Sequence, residues 1–161
     1  MLGKPMKTLV VYDSTYGNTE IVAKAIGAAI GGDVKVVRAG EVGSADLGTI
    51  GLLIVGSPTL GGRPSPAVQD FLAGISESAI RGVTVAAFDT RYSSRLVGVF
   101  GYAADKIGTG LKTKGGTLIL PPEGFIVKGK KGPLEEGELE HAASWAAGIV
   151  RQTCSTASTK R

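Results

Sequence analysis

Leu9-Val10-Val11-Tyr12-Asp13-Ser14-Thr15-Tyr16-Gly17-Asn18-Thr19-Glu20 passes from an apolar stretch, through a short polar loop, into a helical pattern. Its first four residues are apolar on both faces, as in strands buried inside a parallel sheet. From Glu20 to Ile30 the period lengthens to that of a helix, with apolar residues at Ile21, Val22, Ala25, Ile26, Ala29 and Ile30 and Gly31-Gly32 as a stop. A buried strand feeding directly into a helix opens an α/β alternation.

The rest of the chain continues it. Gly51-Leu52-Leu53-Ile54-Val55-Gly56, Val83 to Phe88 and Thr117 to Leu120 repeat the doubly apolar strand pattern, and Val34 to Arg38 alternates more, as an edge strand does. Ser65-Pro66 predicts a helix start with Ser as cap and Pro at the first helical position, followed by Val68, Phe71, Leu72 and Ile75 on one face. A third helix carries Leu96, Val97, Phe100, Ala103, Ala104, Ile107 and Leu111, and a fourth carries Leu139, Ala142, Ala143, Ala146, Ile149 and Val150. This order predicts one α/β domain: a doubly wound three-layer sandwich around a five-stranded parallel sheet in the order 2-1-3-4-5, with residues 151–161 as a frayed tail. Ligands of such sheets bind beyond the carboxyl ends of the strands, so the loops after Asp13, Gly56, Phe88 and Leu120 are the ones that matter.

Composition narrows the chemistry. The chain has 161 residues, 18 Lys+Arg against 14 Asp+Glu, and a net charge of +4. One Cys and one His exclude a disulfide framework and a zinc site built from several Cys/His ligands, and a Ser-His-Asp triad would rest on His141 alone. No catalytic residue and no metal ligand is assigned. Apolar runs fall well short of the roughly 18–20 residues that span a membrane, and the first residues lack an apolar signal region, which predicts a cytoplasmic protein. A basic face interleaved with aromatics, as nucleic-acid binding requires, is not visible. The 25 glycines, well above the usual share, predict many tight turns or close backbone approaches.

The loop Asp13–Glu20 holds four hydroxyl side chains, an amide and a glycine, with no Lys or Arg. It enters a helix N-terminus, where unpaired backbone N–H groups and the helix dipole favour an anion. A P-loop would need its lysine, and G-x-G-x-x-G is missing at this point. The pattern that matches is [ST]-x-x-G-x-T, here Ser14 to Thr19. With it the chain resembles the flavodoxin family from Lys7 to about Val150. The resemblance implies FMN as cofactor, with its phosphate held by Ser14, Thr15, Tyr16, Gly17, Asn18 and Thr19. Read without it, the segment is a polar turn with a good helix cap.

Two further loops agree. Ser57-Pro58-Thr59-Leu60-Gly61-Gly62 is similar to the first flavin loop of the family, with Leu60 where an aromatic residue is common. Asp89, Thr90, Arg91, Tyr92 and Arg95 occupy the second: Tyr92 is the candidate to stack on the ring, Asp89 and Thr90 to bond its pyrimidine edge, and Arg91 and Arg95 depart from the acidic surfaces of many flavodoxins. Solvated residues at a helix start are the plain account of the two arginines. In the family a peptide of the first flavin loop turns over on one-electron reduction, and Gly61 or Gly62 would permit that turn and stabilise the one-electron-reduced flavin. A receiver domain of the same topology would need an acidic phosphoacceptor where this chain has Gly56-Ser57.

Lys128, Lys130 and Lys131 fall in a Gly-rich connection from Pro121 to Pro133, as a solvated loop or a docking patch. Glu135, Glu136, Glu138 and Glu140 complement the dipole of the last helix, Cys154 is incidental, and His141 and Trp145 are packing residues. The resemblance therefore implies an FMN-binding electron carrier serving redox partner proteins, acidic ones being suited to its charge, with the oligomeric state left open. The rivals are an FMN-dependent NAD(P)H:quinone reductase, whose longer inserted segments this short chain lacks, and a flavodoxin-like interaction or sensory domain without flavin.

Overall fold

The computed structural model describes residues 6–92 and 101–159, with side chains given through residue 154. Strands β1 (Thr8–Tyr12), β2 (Val34–Arg38), β3 (Leu52–Pro58), β4 (Thr84–Tyr92), β5 (Thr117–Leu118) and β6 (Glu123–Val127) form one sheet in the order β2-β1-β3-β4-β5, with β6 also paired to β4. All pairings are parallel. The helices are α1 (Asn18–Ile30), the single turn α2 (Ser44–Leu47), α3 (Pro66–Gly74), α4 (Ala103–Thr113) and α5 (Glu138–Thr159). Among the described residues, no helix is long and apolar enough to cross a membrane.

Both faces of the sheet are covered, as the doubly apolar strands require. All five residues of β1 are buried. Successive side chains of a strand point to opposite faces, and the core divides accordingly. Val10, Ile54 and Phe88 pack with Val22, Ile26, Ala146 and Ile149 of α1 and α5. Leu9, Val11, Leu53, Val55 and Val85 pack with Val68, Ile107 and Leu111 of α3 and α4. Phe88 lies directly over Gly56, where a Cβ would overlap its ring. It meets Phe125 and Trp145 edge-on, at centroid distances of 6.0 and 6.1 Å.

The fifth position of the sheet differs from expectation. A single strand at Thr117–Leu120 is replaced by two short ones, β5 and β6. Leu118 is level with Val85 and Glu123 with Phe88, so five steps on one side match three on the other. The surplus lies around Pro121 and Pro122, which have no N–H to give to a ladder. After this break the chain rejoins β4 along its carboxyl half. The predicted connection from Pro121 to Pro133 therefore contains a strand, and that strand delivers the next residues beside the end of β4. The last helix also runs past Arg151, where the apolar pattern stops. Leu96, Val97 and Phe100 of the third predicted helix lie outside the described residues, and its described part is Ala103–Thr113.

Candidate functional site

In the order 2-1-3-4-5 the chain leaves β1 in one direction and β3 in the other, which opens a crevice at their carboxyl ends. A cleft of about 290 Å³ lies there. Four segments line it. The loop after β1 contributes Ser14, Thr15, Tyr16, Asn18 and Thr19, and the end of β3 contributes Pro58, Thr59, Leu60 and Gly61. The end of β4 adds Thr90, Arg91 and Tyr92, and β6 with its adjoining loop adds Val127 and Lys130.

Gly17 is the pivot of the first segment. Its φ of +96° belongs to the left-handed region that suits glycine. Its N–H donates to Ser14 Oγ at 3.0 Å, and its carbonyl accepts from Ile21, the first bond of α1. Gly17 thus shapes the loop without lining the cleft. Thr19 is buried and shares a 2.7 Å hydrogen bond with the Thr90 hydroxyl, tying the helix start to β4. Glu20, in the first turn of α1, would oppose an anion. Its carboxyl is held below the usual carboxylate range by a hydrogen bond from Lys24 at 3.0 Å, and Arg38 Nη2 also donates to it at 3.3 Å. Arg38 Nη1 reaches the Ser14 carbonyl at 3.4 Å and lies 3.7 Å from Asp13 Oδ1. This arginine, which ends β2, props the loop from behind.

The second segment is a tight reversal. Leu60 N–H donates to the Arg63 carbonyl at 2.8 Å, and Arg63 N–H returns a bond at 3.1 Å. Gly61 and Gly62 between them have φ of +58° and +79°. Positive φ at both central residues is the type I′ turn of two-residue hairpins, which only glycine-like residues enter cheaply. Lys106 Nζ on α4 donates to the Gly62 carbonyl at 2.6 Å. Ser57 does not reach the cleft. Fully buried, its hydroxyl donates to the Pro58 carbonyl and accepts from Ser65 N–H, both at 2.8 Å, and so holds the two ends of the loop together. Ser65 stands at the predicted cap of α3 with Pro66 behind it, but its hydroxyl makes no capping bond.

Asp89 also lies away from the cleft. Both carboxylate oxygens are committed: Oδ1 to Arg91 Nε at 2.7 Å, and Oδ2 to Arg91 Nη2 at 2.9 Å and to Ala104 N–H at 2.9 Å. Burial pushes this carboxyl above the usual range, against the pull of Arg91 and the helix N–H. The Arg91 guanidinium lies 3.5 Å from the centre of the Tyr102 ring, and a Cβ at Gly124 of β6 would occupy its place. Arg91 is thus a half-buried group bonded twice to a buried carboxylate and not a freely solvated one. A clue lay in the sequence: Asp89 and Arg91 are two apart on an apolar strand and so share a buried face, where charges must pair. Arg95 lies outside the described residues.

The residues absent from the sequence reading of the cleft are Val127 and Lys130. Nothing local marks them, since they reach it only through the β5/β6 break. Glu138 likewise has a role beyond the helix dipole: Oε2 accepts from Ile126 N–H at 2.6 Å, and Oε1 lies 3.1 Å from His141 Nδ1. His141 Nε2 lies 2.6 Å from Glu123 Oε2. Burial alone would lower the His141 pKa, but hydrogen bonds with Glu123 and Glu138 raise it above its ordinary value.

Hydroxyls and free N–H groups at one end of the cleft, with Leu60 and Tyr92 toward the other, suit a ligand that is anionic at one end and flat and apolar at the other. The family profile described as Flavodoxin matches residues 10–145. The chain belongs to the flavodoxin family. A flavodoxin from the domain Archaea shares 26% identity and a TM-score of 0.77, covering 91% of this chain and 98% of its own. Oxidised Flavodoxin 2 from Bacillus cereus is similar at 22% identity and TM-score 0.75, covering 91% and 99%. The flavodoxin, WrbA-like protein from Agrobacterium tumefaciens is similar in fold at 20% identity and TM-score 0.74, covering 91% and 96%. No curated protein sequence matches the chain. Family membership brings FMN as the cofactor, and the donors of the cleft fit it.

Proposed function

We propose that this flavodoxin-family protein is an electron carrier that binds FMN non-covalently and passes electrons between redox partner proteins. When bound, FMN supplies the redox chemistry, and the protein holds, tunes and shields it. The backbone N–H groups before α1 and the hydroxyls of Ser14, Thr15 and Tyr16 hold the phosphate, with Asn18 and Thr19 at the helix start. Tyr92 and Leu60 offer the flat and aliphatic faces for the ring. Peptide groups of the Leu60–Arg63 reversal present their polar atoms to the ring edge, and two glycines let one of those peptides reorient at low cost.

The observation that carries the proposal is the mouth of the cleft. Leu60 and Tyr16 are large apolar side chains left 45% and 46% exposed beside the site. Lys128 and Lys131, which flank the cleft residue Lys130 in the chain, are exposed without an ion-pair partner among the described residues. An apolar centre with a positive rim suits brief docking of an acidic partner more than capture of a small substrate.

The visible spectrum of the purified protein, recorded before and after NAD(P)H with and without a quinone, tests this. A yellow protein that NAD(P)H alone leaves oxidised supports the carrier. Rapid bleaching with turnover on quinone identifies a quinone reductase instead, and a colourless protein that cannot take up FMN sinks both.

A further inference from the structure

The Ser14–Thr19 loop contains no Lys or Arg, yet the phosphate of FMN carries close to two negative charges at neutral pH. Two cations line the cleft, and Arg91 is already paired with Asp89, which leaves Lys130. Val127 pairs with Leu134 in an antiparallel bridge, Lys128 N–H donates to the Pro133 carbonyl at 2.8 Å, and Gly132 N–H donates to Gly129 at 3.0 Å. The segment is thus a closed hairpin with Lys130 near its tip.

The hairpin is latched to the start of α1. Asn18 Nδ2 donates to the Lys131 carbonyl at 3.2 Å, across 113 residues of sequence. A Cβ on Gly132 would lie 2.5 Å from Asn18 Oδ1, so the two segments touch without a gap. Lys130, one residue from this latch, therefore lines the cleft on the side of the helix N-terminus, with Asn18 and Thr15. Its ammonium has no hydrogen-bond or ion-pair partner among the described residues. Arg38, the other cation behind this loop, is occupied by Glu20, Asp13 and the Ser14 carbonyl.

Building on the FMN assignment, we infer that Lys130 is the cation that pairs with the FMN phosphate, and that it makes the site select phosphorylated flavin over riboflavin. A lysine suits this as a compact point charge on a flexible stem, adding to the fixed dipoles of the helix start. Because it stands at an exposed rim, its contribution is screened by salt.

The test is equilibrium binding of FMN and of riboflavin to the apoprotein, read by quenching of flavin fluorescence, for the native chain, Lys130→Gln, Lys130→Arg and, as a control for net charge, Lys112→Gln on α4. Lys130→Gln is expected to weaken FMN roughly three- to tenfold at low salt, the scale of one partly exposed ion pair. Riboflavin affinity should not change, Lys130→Arg should restore most of the loss, Lys112→Gln should match the native chain, and high salt should close the gap. Equal losses for both flavins would show that Lys130 only supports the hairpin, and no loss for FMN would show that the phosphate is held without it; either result overturns the inference while leaving the FMN site intact. A native apoprotein that binds neither flavin overturns the cofactor assignment and the inference with it.

Discussion

The two ends of the cleft are built in opposite ways. The end at α1 is built mainly on one continuous segment, Ser14 to Thr19, shaped by a glycine turn and by bonds spanning a few residues, with Arg38 and the Lys131 hairpin set against it from outside. The end at β4 is assembled from β3, β4, β6 and α4, and is held by an ion pair, a ring contact and a lysine-to-carbonyl bond that link distant parts of the chain. A locally built end depends on backbone conformation, and a globally built one on buried pairing. The two therefore fail differently.

The largest expected effect is at the assembled end. Asp89→Ala leaves Arg91 charged against Tyr102 and Gly124 with no carboxylate, and removes the acceptor for Ala104 N–H. Losing one partner of a buried pair costs about 3 kcal/mol or more, which thermal unfolding should show as a fall of roughly 6 to 12 °C. Asp89→Leu combined with Arg91→Met should lose far less, because neither charge is then stranded. If the double variant is as unstable as the single, pairing is not what organises this end.

The next effect belongs to the local end. Gly17→Ala has open space for its methyl group, so its cost is that of a left-handed φ alone, about 1 to 2 kcal/mol. Denaturant unfolding should show that loss, together with weaker FMN binding, whereas a conformation-neutral site would show neither.

Thr90→Val tests the bond where the two ends meet. It strands the buried Thr19 hydroxyl, at a cost of about 1 kcal/mol. Thr19→Val combined with Thr90→Val should recover part of that loss, and a cycle of the four proteins measures the coupling.

The smallest effect is pH-dependent and lies behind the assembled end, where His141 joins α5 to β6 through Glu123. Its folded pKa is raised above the ordinary 6.5. The stabilisation from its protonated form is therefore complete below about pH 6.5 and disappears as pH climbs through the folded value. With the ring partly exposed, solvent screening keeps this to about 0.5 kcal/mol. His141→Gln should flatten the stability profile above pH 6.5, and an unchanged slope would mean that the histidine contributes nothing through its charge.

The alternation of strands and helices and the Ser14–Thr19 loop were legible in the sequence because each depends on neighbours in the chain: periodicity, a helix start, a glycine between hydroxyls; the strand order followed from the fold class that this alternation fits. So were the approximate positions of the second and third loops, since they must come directly after buried strands. Their internal use was not legible. Ser57 and Asp89 have the polar groups a ligand needs, but the fold spends those groups on Ser65, Arg91 and Ala104. The opposite happened to Lys130, which looked like one of three solvated lysines.

By itself, then, the sequence determined the α/β sandwich and the hydroxyl-rich loop that enters α1, because β-branched runs, helical periods and a positive-φ turn are dictated over a handful of residues. Only the tertiary structure decided which side chains reach the cleft. Two prolines broke the fifth strand, its second half re-paired with β4, and a hairpin 113 residues from Asn18 closed against it. No local preference encodes that contact; it exists because the re-paired strand β6 carries the hairpin to the start of α1.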